Sequence, residues 1–168
     1  MTTVGAVWET EADREKEDLV MRRMCGEPSR AYRLPKFSLV DFVVAEGDSI
    51  KAFVEVKVRK EPLEQVKKYG GLMLKHRKIS ELAYLSEVTN VRSFFVFAFE
   101  SGRGDLLIAD ATALHSVGFE ECDPPPRGKD RGKPACDFEK VAFLDWGVHV
   151  HPVSRVFSQG AAIHLTPV

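Results

Sequence analysis

Cysteine is scarce. Cys25, Cys122 and Cys136 are the three in 168 residues, too widely spaced for a disulfide framework or a Cys-x-x-Cys metal site. That usage fits a reducing, cytoplasmic setting. Long apolar runs are missing as well: the longest strongly apolar stretch, residues 94–99, is far too short to span a bilayer. The N-terminal MTTVGAVWETE lacks the basic start and apolar run of a secretory leader. No Gly-x-Ser-x-Gly occurs, and no glycine-rich loop of the P-loop or dinucleotide type. The isolated cysteines have no paired base, so serine or cysteine nucleophilic chemistry is not indicated. A strong net charge is lacking too: the formal value is −1, which does not by itself point to a polyanionic partner.

What is present is a 44% hydrophobic chain of a size that suits one domain over residues 1–168, with a substantial core. Its charge is unevenly distributed. Residues 51–78 hold nine Lys/Arg against three acids, while residues 9–18 hold six acids against Arg14 and Lys16. A basic centre beside an acidic segment suits a phosphate track next to metal ligands, and equally suits two solvated faces that neutralise each other.

The most informative stretch is KFSLVDFVVAEGDSIKAFVEVKVRK, residues 36–60. It predicts two strands, residues 37–45 and 50–58, joined by a turn at Glu46-Gly47-Asp48-Ser49. In the second strand Ile50, Ala52, Val54, Val56 and Val58 share one face. Lys51, Phe53, Glu55, Lys57 and Arg59 share the other, because strand side chains alternate. Glu55 and Lys57 therefore emerge together, about 7 Å apart at Cα. A Glu-x-Lys couple alone is commonplace on solvated strands. Asp41 is less ordinary: it interrupts an apolar run, where a carboxylate needs a cation or several donors. The hairpin brings it toward Glu55.

An Asp on one strand followed by Glu-x-Lys on the next resembles the PD-(D/E)XK nucleases. Here the pattern is Val40-Asp41, then Phe53-Val54-Glu55-Val56-Lys57-Val58. The second piece is particularly similar to the Glu-Val-Lys strand of archaeal Holliday-junction resolvases, and one departure is Val40 where the signature has Pro. The resemblance implies a restriction-endonuclease-like α/β fold, with a mixed central sheet flanked by helices. It implies a Mg²⁺- (or Mn²⁺-) dependent enzyme that hydrolyses phosphodiester bonds of DNA. Asp41, Glu55 and the Val56 backbone carbonyl would be ligands, and Lys57 would position the attacking water. In this family a Glu on the first helix often completes the site; Glu15, eleven residues before Gly26, is the candidate, with Glu11 as its substitute. Gln65 and Tyr69 match the Gln-x-x-x-Tyr motif that some relatives carry after the catalytic strand, where it would orient the phosphate. The resemblance also allows a homodimer and a phage or mobile-element origin, and no membrane partner. The alternative is a catalytically inactive module of the same fold that binds DNA or protein.

The resemblance covers residues 10–110; residues 111–168 are expected to add sheet and loop. A helix is predicted over residues 8–25, capped by Thr10 with Asp13, with Ala12, Glu15 and Leu19 in one stripe so that Glu15 borders the buried face. A short strand is expected at 31–34. Pro62 opens a second helix, and Gly70-Gly71 breaks it. A further helix over 72–88 has Lys75, His76, Arg77 and Lys78 facing outward and ends at Asn90. Residues 92–99 form a central strand and 105–110 another. Residues 120–136 are a Pro/Gly-rich surface loop, and 141–144 and 148–153 are closing strands, with His149 and His151 on one face as ordinary half-buried histidines.

Overall fold

The computed structural model describes residues 10–36, 38–68, 72–117, 141–144 and 150–152. The expected loop at 120–136, Gly70-Gly71, His149 and the C-terminal tail lie outside them. Helix α1 (Glu11–Met24) leads into β1 (Arg30–Arg33), β2 (Phe42–Glu46) and β3 (Ser49–Val58). Helix α2 (Leu63–Lys68), β4 (Leu72–Lys75) and α3 (His76–Thr89) follow. The chain continues through β5 (Ser93–Ala98), β6 (Leu106–Asp110), α4 (Ala111–Val117), β7 (Val141–Leu144) and β8 (His151–Pro152).

Six strands form one mixed sheet in the order β1-β2-β3-β5-β6-β8, with β3 and β5 parallel and the other pairs antiparallel. The expected α/β architecture is therefore present. The hairpin between β2 and β3 closes with Glu46 opposite Ser49, and Gly47 takes φ +57° at its tip, a conformation that costs glycine little. β5 lies between β3 and β6 and is buried at every residue, as its two apolar faces require.

The sheet separates two apolar layers. Phe94, Val96 and Ala98 join Val54 and Val56 of β3 and Val20, Met21 and Met24 of α1 on one side. Phe95, Phe97 and Phe99 join Ile79 and Leu82 of α3, Leu114 of α4, and Leu72 and Leu74 on the other. α1 begins with a reciprocal capping box between Thr10 and Asp13. It is tied to the sheet by Arg33, which pairs with Glu17 (2.8 Å) and Asp18 (2.9 Å) while lying over the Phe42 ring.

Four expectations need correction. The buried stripe of α1 is Val20, Met21 and Met24, so the helix is rotated from the expected register and Glu15 is exposed. The β2 strand starts at Phe42, and Asp41 directly precedes it; Leu39, though apolar, is exposed. Residues 72–75 form a strand, not the start of a helix. Leu72 and Leu74 alternate inward and pair with β7 at Leu72↔Leu144, and tertiary pairing here overrides local helix propensity. α4 was not anticipated: Asp110, at the end of β6, accepts from the Ala113 N–H at 2.9 Å and so caps its first turn. As expected, Asn90 ends α3 in the left-handed region, at φ 54° and ψ 29°. None of the helices among the described residues is long and apolar enough to cross a membrane.

Candidate active site

β3 presents Glu55 and Lys57 on the face that looks toward α3, as strand alternation predicts. Lys57 Nζ donates to Glu55 Oε1 at 2.6 Å. The Glu55 side chain is 6% exposed and that of Lys57 33%, so the carboxylate is buried while the ammonium remains within reach of solvent. A buried carboxylate on a central strand requires such pairing, since losing its partner would strand a charge in a poorly solvated place.

Asp41 reaches this group from the neighbouring strand. Pairing of β2 with β3 runs from Glu46↔Ser49 to Phe42↔Val54, and the Asp41 N–H closes the ladder on the Val54 carbonyl at 3.1 Å. Beyond that point β2 has no residue to receive the next β3 amide on that side. The Asp41 carboxylate takes its place: the Val56 N–H donates to Asp41 Oδ2 at 2.7 Å. Among the described residues no donor meets Oδ1. Burial first, then the Glu55 carboxylate, pushes the Asp41 carboxyl up from 3.8 to about 6. The Val56 N–H, Lys57 and Lys78 pull in the opposite direction without overcoming them.

Lys78 is the member of the site that sequence reasoning missed. It was expected to face outward with Lys75 and Arg77. Instead the first turn of α3 turns it onto Glu55 Oε2 at 3.2 Å, and it also donates to the Leu39 carbonyl. Glu55 is thus held at both oxygens, by Lys57 from its own strand and by Lys78 from α3. The local signal was ambiguous, because three basic residues in a row on a first turn cannot all face the core. Ile79 and Leu82, which fix how α3 packs, decide which one does.

The other expected residues lie elsewhere. Glu15 is exposed on α1, whose apolar side covers the opposite face of the sheet, and it lines a cleft with Glu11, Arg14, Asp18 and Arg33. The structure does not bring it to Asp41 and Glu55. Among the described residues no three His, Cys, Asp or Glu side chains are grouped to hold a metal. Gln65 is exposed on α2, where Leu63 and Val66 pack against the α3-side core. Tyr69 lies outside the described residues.

The arrangement nonetheless fits a hard divalent cation. Its donors are carboxylate oxygens, one Asp41 oxygen has no donor among the described residues, and the buried Glu55 carboxylate stands beside it. The Val56 backbone lies within hydrogen-bonding distance of Asp41, so its carbonyl is close to the same region. Two protein carboxylates suffice for Mg²⁺, which keeps several of its waters.

The family described as "Phage putative PDDEXK endonuclease" matches residues 3–146. No curated protein matches the chain. Among solved structures, the chain is similar to Hjc of Archaeoglobus fulgidus, a Holliday junction resolvase from an archaeal hyperthermophile. The identity is 16% and the TM-score 0.48, over 83% of this chain and 88% of that one.

Proposed function

The chain belongs to the phage PDDEXK endonuclease family, and on that premise we propose that it is a divalent-metal-dependent deoxyribonuclease whose site is Asp41, Glu55 and Lys57. The observation that carries this reading is the Asp41 carboxylate: one oxygen on the Val56 N–H, the other without a donor among the described residues, and a buried Glu55 beside it. Asp41 and Glu55 would hold Mg²⁺ or Mn²⁺, with the Val56 carbonyl as a third protein ligand. When bound, the ion supplies positive charge at the phosphate and a water acidic enough to attack at neutral pH.

The chain's own groups do the rest. Glu55, fixed by β3 and by its ion pairs, gives the site a rigid wall and does not move to react. Lys57 is the cation closest to solvent within reach of Glu55, and a phosphodiester arriving there would meet its ammonium first. That group then orients the water and offsets charge that grows on the phosphate oxygens. Gln65 and Tyr69 are proposed to steady the phosphate; Glu15, which α1 carries on the other side of the sheet, is given no part in the site. The Gln65 and Tyr69 assignments follow the Gln-x-x-x-Tyr pattern that some members of this superfamily carry. DNA is the proposed substrate and the host cytoplasm the proposed compartment.

Purified protein is expected to nick or cut supercoiled, linear, single-stranded or branched DNA in Mg²⁺ or Mn²⁺ and to leave all of them intact in EDTA. If every substrate stays intact in both metals, the nuclease reading fails. DNA binding that weakens with salt and survives Glu55→Gln would then identify a non-catalytic binding module.

A further inference from the structure

Lys78 touches both acidic segments of the site, and it comes from an element that neither Asp41 nor Glu55 belongs to. Its ammonium contacts Glu55 Oε2 at 3.2 Å and the carbonyl of Leu39, two residues before Asp41. Lys57 meets Glu55 simply because the two alternate on one strand. Lys78 meets it because α3, locked by Ile79 and Leu82, delivers it there. Its side chain is 23% exposed, which leaves a path for the ammonium to move outward.

The charges also constrain what can enter. Two carboxylates and two ammonium groups are neutral as a set; a divalent ion among them would leave an excess of two positive charges until a phosphate arrives. We propose that Lys78 is a positioning residue that serves as a tethered counter-ion. It holds Glu55 and the Leu39–Asp41 segment in place while no metal is bound, and it yields Glu55 Oε2 when the ion binds, becoming free to meet the substrate phosphate. This rests on the metal-dependent reading of the site. Lys78 therefore competes with the ion in the absence of DNA, and the site takes metal and phosphate most readily together.

The test is Mn²⁺ titration by calorimetry of the DNA-free protein at fixed ionic strength. Lys78→Met removes the competing charge, and its Mn²⁺ affinity is expected to rise about tenfold over wild type, a modest result for one full charge a few ångströms away. Lys78→Arg keeps the charge and should remain near wild type. Lys78→Gln removes the charge but keeps a donor for the Leu39 carbonyl, and the same rise is expected, so the test stands even if the Met variant does not fold. Equal or weaker Mn²⁺ binding in the folded neutral variants, with wild type binding normally, overturns the counter-ion role alone. Absence of Mn²⁺ binding in wild type and all variants overturns the metal reading beneath it, and the counter-ion role with it.

Discussion

Asp41→Asn is expected to lower DNA cleavage by about a thousandfold or more while making the metal-free protein more stable. The loss follows from removing a charged ligand from a site with only two protein carboxylates. A bound ion contributes several kcal/mol of charge stabilisation, and each ~1.4 kcal/mol is about tenfold in rate. The gain in stability follows from where the carboxylate lies. In the native state its pKa is about 6 rather than 3.8, chiefly from burial and then from Glu55. Between those values the native protein keeps a proton that the unfolded chain has lost, so stability contributed by Asp41 is present below pH 4 and is lost as pH rises through 6. Asparagine carries no charge to lose, and its amide oxygen can still accept from the Val56 N–H. Urea unfolding in EDTA should therefore show Asp41→Asn ahead of wild type by about 1–2 kcal/mol at pH 7.5, after discounting for partial exposure, and level near pH 4. Added Mn²⁺ should stabilise wild type and leave the variant unmoved. A variant that is inactive but less stable at pH 7.5 would mean that Asp41 serves the fold and not a cation.

Lys57→Met should reduce cleavage by roughly 10²–10⁴, the usual range for a group that moves or orients a proton, without loss of folding. Glu55 would still be paired through Lys78 at its other oxygen, so no buried charge is left wholly unpaired. Methionine matches the length of the lysine stem, which keeps the packing along β3. Cleavage assays under single-turnover conditions, beside circular dichroism and Mn²⁺ titration, separate the outcomes. Retained metal binding with lost cleavage places Lys57 in the chemistry. Unchanged cleavage removes it from the mechanism.

Much of this was legible in the residues because the relevant rules act over short spans. Alternation places Glu55 and Lys57 on one face whatever surrounds them, and both meet there in the structure. The Thr10–Asp13 box, the turn at Gly47-Asp48 and the cap at Asn90 are likewise local. What was not legible depends on partners distant in the chain. Leu-Met-Leu-Lys at 72–75 becomes a strand because Val141–Leu144 pairs with it. Lys78 reaches Glu55 because Ile79 and Leu82 pack α3 against the sheet, contacts with residues distant in the chain. The α1 register was not legible for a different reason: six acids among residues 9–18 leave few apolar positions to define a stripe, and Ala12 and Leu19 suggest a face one step away from the buried Val20, Met21 and Met24. Asp110 before Ala-Thr-Ala carries the N-cap signal of α4, but the same residue also ends the apolar β6 run, and the two signals overlap.

The most direct test is a crystal of the wild-type protein soaked in Mn²⁺, with data collected for anomalous scattering. A peak coordinated by the Asp41 carboxylate and Glu55, beside the Val56 carbonyl, is the result expected. A site that stays empty at millimolar Mn²⁺, with Lys57 and Lys78 still on both oxygens of Glu55, would contradict it.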